Sequence, residues 1–292
     1  MTTRSPLPGT PGGPLLSFEF FPPKGEEGEA AFWKTLPRLA RFEPDFISIT
    51  YGAGGSDRER TKELVCRVRQ ETGLEVVAHL TCIGDSREAL VKILDRYRQC
   101  GLRHLLALRG DRPRNAPEDL AARSDFPYAD SFVAFVKANY PEFAIGVAAY
   151  PEVHPEAASA EADLAHFQRK IQAGAEFAAT QFFFENAAYF RFVSRCREAG
   201  LTIPIYPGIM PVVNYSQIRR LAELCGSALP EWLTSQYEGI RDDPEKMRET
   251  GIRIAVAQCR ELLAGGAPGL HFFTLNQAET VSRIVTALRS PE

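Results

Sequence analysis

From Leu15 onward, short apolar runs rich in β-branched and aromatic residues alternate with longer stretches whose apolar positions recur at helical spacing. That alternation predicts repeated βα units around a parallel sheet. The strand-like runs are residues 15–21, 45–50, 75–80, 104–108, 144–149, 177–182, 203–207 and 269–274. Eight such runs fit a closed (β/α)8 TIM barrel of the α/β class, which leaves no sheet edge to protect. Helical stretches fall at 28–40, 58–72, 87–100, 130–139, 161–173 and 186–199, several ended by Gly73, Gly101, Gly174 and Gly200. Glycine there suits a left-handed C-cap. Residues 215–264 are too many for one helix and a loop, and Pro230 and Pro244 break them, so two or three extra helices are expected before the last strand.

No Ser- or Gly-rich linker divides the 292 residues, and only a few follow the last helix, so one barrel domain is expected over 15–292 with no further domain after it. Residues 1–14 are rich in Pro, Gly and Thr and read as a flexible arm. No apolar run approaches the roughly 20 residues of a spanning helix, and the start lacks a secretory apolar segment, so a cytoplasmic chain without a membrane partner is expected. With 34 basic and 37 acidic residues and a net charge of −3, no basic field exists to draw nucleic acid. The six cysteines contain no C-x-x-C pair and read as buried, reduced thiols.

Several chemistries find no support. The five histidines lack H-E-x-x-H spacing, so no metal site is expected, and neither a P-loop nor a G-x-S-x-G elbow occurs. The run Gly52-Ala53-Gly54-Gly55-Ser56 fails the dinucleotide fingerprint because Asp57 stands where the third glycine belongs.

In a barrel, function gathers at the C-terminal strand ends. Read in order, those ends carry Glu19, Thr50, His79, the trio Arg109, Gly110 and Asp111, then Tyr150 and His154, and Gln181. Glu19 stands between Phe18 and Phe20. Desolvation among aromatics would raise its pKa and suit it to donate a proton, whereas the alternative is a buried glutamate bonded to backbone or to an arginine. LALRGD either opens a ligand-binding mouth or forms a turn with a surface salt bridge. In YPEVHPE two prolines stiffen a loop suited to gripping a planar ligand.

Taken in register, SFEFFPP, SITYGAGG, AHLTC, ALRGD, AAYPEVHPEA, TQFFF, PGIMPV and HFFTLN, from residue 17 to near 279, resemble the methylenetetrahydrofolate reductase family. The resemblance implies an FAD-dependent reduction of 5,10-methylenetetrahydrofolate to 5-methyltetrahydrofolate by NADH or NADPH, with ping-pong hydride transfer through the flavin, in one-carbon metabolism and methionine supply. It implies FAD contacts at Thr50, His79, Leu108, Arg109, Gly110, Asp111, Tyr128, Ala129, Tyr150, His154, Ala157, Asp163, Arg169 and Lys170. Glu19 corresponds to the general acid that protonates N10 of the folate. Asp111 corresponds to a pterin contact near the flavin, and Gln181 and Tyr189 to substrate-side positions. Family members are commonly homo-oligomers. Two departures stand out: Leu221 replaces a phenylalanine that stacks on substrate and nicotinamide, and Gln277 replaces an arginine.

Two other classes compete with the reductase. A flavin-independent folate- or pterin-binding barrel methyltransferase would use Asp111 and Gln181 without FAD. A noncatalytic barrel serving in oligomerisation would leave many strand-end polar groups without a ligand, which is costly.

Overall fold

The structure is a computed structural model and describes residues 13–51, 55–111 and 124–290. Residues 1–12 of the expected arm and residues 52–54 of the glycine-rich loop lie outside that description. Eight parallel strands close into a barrel in chain order: β1 Leu15–Phe20, β2 Phe46–Ile49, β3 Val76–Thr81, β4 His104–Leu108, β5 Ala144–Ala149, β6 Phe177–Phe182, β7 Ile205–Ile209 and β8 Gly269–Phe273. The described helices are α1 Gly25–Ala40, α2 Gly55–Thr72, α3 Arg87–Gln99, α4 Ala129–Asn139, α5 Ala160–Gln172, α6 Asn186–Glu198, α7 Tyr215–Cys225, α8 Glu231–Ser235, α9 Pro244–Ala264 and α10 Ala278–Arg289. The extra helices expected before the last strand are α7, α8 and α9.

Helix starts follow local chemistry. Ser86, Ser159, Asn214 and Asp243 each accept the backbone N–H three residues on, at 2.9 to 3.2 Å. Pro244 then opens α9, where a missing N–H costs nothing. None of the helices among the described residues is long and apolar enough to cross a membrane.

Side-chain alternation splits the core into two layers. Leu15, Phe46, Val77, Leu106, Phe177 and Tyr206 pack together inside the barrel. Phe18, Phe20, Ile47, Ile49, Leu105 and Ile145 face the helices, where each is wholly shielded. Burying each such side chain contributes roughly 1.5–3 kcal/mol. Gly146 has no side chain because the ring of Phe177 fills the space a Cβ would take.

Closure pairs the first strand with the last. Leu15 lies beside Gly269, Ser17 beside His271 and Glu19 beside Phe273. Between β6 and β7 the register slips between Ala179 and Phe182, a bulge that interrupts the ladder near the mouth.

One expectation is overturned. Cys66 on α2 and Cys100 after α3 form a disulfide with Cα atoms 5.5 Å apart, while Cys82, Cys196, Cys225 and Cys259 are free. The separation of 34 residues spans one βα unit, so the bond ties α2 to the end of α3, two consecutive helices of the outer ring.

Candidate active site

Glu19 is only 7% exposed and faces the barrel interior, as do Ser17 and His271. His271 Nε2 lies 3.1 Å from Glu19 Oε2, and its Nδ1 lies 2.8 Å from Ser17 Oγ. The serine hydroxyl is closer to that ring nitrogen than to the Leu270 carbonyl at 3.3 Å. An ionised carboxylate only accepts, so Nε2 carries the proton that His271 donates to Glu19. Phe46 stacks on the imidazole with centroids 5.8 Å apart and holds its plane.

His79 Nε2 lies 3.5 Å from the same Glu19 oxygen, and neither it nor Ser48 Oγ makes a hydrogen bond among the described residues. These polar groups all come from β8, β1, β2 and β3, and the opposite wall is built by Leu106, Leu108, Phe177 and Tyr206. The carboxylate and its two imidazoles thus gather on the wall made by β1, β3 and β8.

The expected rise in the Glu19 pKa does not occur. Burial by itself pushes the carboxyl up, but the His79 imidazole, the hydrogen bond from His271 and that ring's charge outweigh it and hold the group below the ordinary carboxylate range. His79 is in turn pulled down by burial, against the pull of Glu19. Both alternatives open for Glu19 had missed its partners, which are two histidines rather than backbone or arginine.

Around this floor the loops after β4 and β5 form a wall. Leu108 ends β4 against the interior cluster. Gly110 has φ +89, and a Cβ there would lie 2.8 Å from Thr81 Cβ, so only glycine lets this turn sit on β3. Arg109 donates to Glu156 at 2.7 Å and to its neighbour's carbonyl at 3.2 Å, so the salt bridge weighed for this turn is present. Asp111 is exposed, and its charge together with burial pushes the Tyr150 hydroxyl up to about 12, burial being the larger cause. The rings of Tyr150 and His154 meet edge to face at 4.5 Å. A turn from Ala157 N–H to the His154 carbonyl, 2.8 Å, fixes that loop, and His154 N–H donates to Asp163 at 3.2 Å.

Tyr128 precedes Ala129, the first residue of α4, and gives that helix no side-chain cap. Its ring is 53% exposed. Arg169 reaches Asp130 in the first turn of α4 at 3.2 Å, and Lys170 Nζ donates to the Ala148 carbonyl at 2.6 Å. Burial pulls the Lys170 ammonium down to about 8.

Thr50 follows β2 and donates its N–H to the Phe20 carbonyl at 3.0 Å. Gln181 sits on the bulged end of β6 with its side-chain oxygen accepting from Phe182 N–H at 3.0 Å. Tyr189 is not brought to the mouth. It is 2% exposed, lies on the sheet-facing side of α6, stacks on Phe183 and donates its hydroxyl to the Ile205 carbonyl at 2.8 Å.

Of the two departures, Leu221 lines a cleft with Pro211, Gln217, Ile218 and Leu275, and Gln277 precedes α10 without capping it. Sequence reading also passed over Ser17, His271, Glu156 and Cys225. Burial and the Asp111 charge raise the pKa of the Cys225 thiol. Three of them lie in the motif series, His271 in HFFTLN, Ser17 in SFEFFPP and Glu156 in AAYPEVHPEA, whereas Cys225 lies in none.

The sequence profile of methylenetetrahydrofolate reductase matches residues 10–289. The chain is 43% identical over 264 residues to 5,10-methylenetetrahydrofolate reductase of Pectobacterium carotovorum subsp. carotovorum, covering 90% of this chain and 86% of that one. With the enzyme of the same name from Escherichia coli (strain K12) it shares 42% over 266 residues, covering 90% and 87%. Among solved structures, an uncharacterised Clostridium thermocellum protein that binds two copies of 5-methyl-5,6,7,8-tetrahydrofolic acid aligns with a TM-score of 0.62 at 14% identity over 94% of both chains. That likeness is one of fold.

Proposed function

Because the chain belongs to the methylenetetrahydrofolate reductase family, we propose that it reduces 5,10-methylenetetrahydrofolate to 5-methyltetrahydrofolate, with NADH or NADPH as donor and FAD as its redox group. The observation that carries this reading is the buried Glu19, held by His271 and Ser17 at the floor of a mouth ringed with aromatic and cationic side chains.

The residues present fit the flavin. The N-terminus of α4 lacks a side-chain cap and lies beside Arg169, with Lys170 next in sequence, a combination suited to a diphosphate. His79 offers a buried ring nitrogen with no hydrogen bond among the described residues, and Tyr128, Tyr150 and His154 offer ring surface. When bound, FAD supplies the two-electron transfer between the pyridine nucleotide and the folate carbon.

The chain's own part is proton handling and orientation. Glu19 gives a proton to N10 of the folate as the five-membered ring opens, and His271 Nε2–H stands behind the carboxylate to replace it. A carboxylate held low gives up a proton readily. It is therefore loaded only when substrate shuts water out and desolvation gains on the imidazoles. Asp111 and the Gln181 amide are suited to the polar edge of a pterin. Donor and folate use the one mouth in turn, which yields ping-pong kinetics without a second nucleotide-binding domain.

The test is anaerobic. Protein loaded with FAD should lose its yellow colour with NADH or NADPH and regain the oxidised spectrum with methylenetetrahydrofolate. A protein that binds folate yet neither holds nor takes up FAD overturns the reading in favour of the methyltransferase.

A further inference from the structure

The β1–β8 ladder ends at Glu19 and Phe273, yet polar contacts continue beyond it. The Glu19 carbonyl accepts from both Thr274 N–H, at 3.1 Å, and Thr274 Oγ1–H, at 2.7 Å. Two residues on, the side-chain amide of Asn276 takes both backbone groups of Phe21. Its Oδ1 accepts from Phe21 N–H at 2.9 Å, and its Nδ2 donates to the Phe21 carbonyl at 2.9 Å. The amide thus acts as one further strand residue, and it leaves the Glu19 peptide fixed on both sides.

This clamp sits on a left-handed stretch. Leu275 has φ +49 and Asn276 φ +57, a region asparagine tolerates and leucine does not favour. Strain of this kind persists where surrounding contacts over-determine it, and such places cluster at functional sites. Asn276 N–H closes the turn onto Thr274 Oγ1 at 3.1 Å. Alternation puts Phe21, 39% exposed, on the same face as Glu19.

We propose that Asn276 is a positioning residue for the proton-transfer step, clamping the end of β1 so that the Glu19 carboxyl and the Phe21 ring are presented together at the mouth; this rests on the reading of Glu19 as the acid. Asn276→Gly removes the amide while easing the backbone conformation. It should slow re-oxidation of reduced flavin by methylenetetrahydrofolate by roughly 10- to 100-fold and displace the pH profile of that half-reaction, with flavin reduction by NADH changed less than about twofold. Thr274→Val should act in the same direction and Thr274→Ser should restore the rate, a pair that keeps the inference testable if Asn276→Gly fails to fold.

Glu19→Gln is measured alongside. If it slows only the folate half-reaction while Asn276→Gly slows both half-reactions equally, or neither, the clamp is structural only and the inference is overturned with the enzymatic reading intact. If Glu19→Gln leaves the folate half-reaction unchanged, the reading of Glu19 falls and the inference with it.

Discussion

His271 Nε2 lies 3.1 Å from Glu19 Oε2, the first and last strands of the barrel meeting at one hydrogen bond. That bond and the charge of the ring are among the influences that hold the carboxyl below its ordinary range against burial. Replacing His271 with leucine should raise the Glu19 pKa, because burial is then opposed by His79 alone. The limb along which the folate half-reaction falls as pH rises should therefore move to higher pH in stopped-flow traces, and an unmoved limb would show that His271 does not govern the carboxyl.

Lys170 leads to a second expectation, in the binding of the cofactor. Its ammonium is pulled down to about 8 by burial, so with the site empty the charge is present below that value and lost as pH rises through it. FAD affinity, read from quenching of flavin fluorescence, should weaken between pH 7 and pH 9. Lys170→Met should bind weakly at both values and flatten the dependence, and a wild-type protein with equal affinity at both would count against a role for this amine.

A third concerns Gly110. With φ +89 and Thr81 Cβ 2.8 Å from the position of an added Cβ, Gly110→Ala must both strain the backbone and push the turn off β3. The backbone cost alone is about 1–2 kcal/mol. A lower melting temperature and a lower flavin content after purification are expected, and retention of both would mean that the turn relocates freely.

The Cys66–Cys100 disulfide leads to a fourth. Denatured, unreduced protein should expose four thiols to a colorimetric reagent, and reduction should raise that to six. Losing a link across a loop of this length costs roughly 2–4 kcal/mol, so Cys66→Ser should lower the melting midpoint. Six reactive thiols before reduction would refute the bond.

How far the residues foretold this arrangement depends on distance along the chain. Periodicity within a segment placed β4, β5 and β6 to the residue, because alternation is a local property. It also put Glu19 at the C-terminal end of its strand. It could not supply His271, 252 positions away, because eight strands imply closure of β8 on β1 but no local pattern states the register in which they pair. The sign of the Glu19 shift followed from that omission, since desolvation can be read from Phe18 and Phe20 but the imidazoles cannot. Tyr189 misled in the opposite way. A match of motif carried it to the substrate side, whereas the face of α6 it occupies turns it onto the sheet. The cysteines were judged by short spacings, and the pair that joins is separated by a whole βα unit.

The order of synthesis gives the β1–β8 seam a temporal meaning. Glu19 leaves the ribosome among the earliest residues of the barrel, while His271, Thr274 and Asn276 are among the last. A nascent chain can lay down seven staves and still hold Glu19 without His271, Thr274 and Asn276 beside it. On the proposed reading of Glu19, competence for proton transfer would therefore arrive late, when the final strand docks on the first.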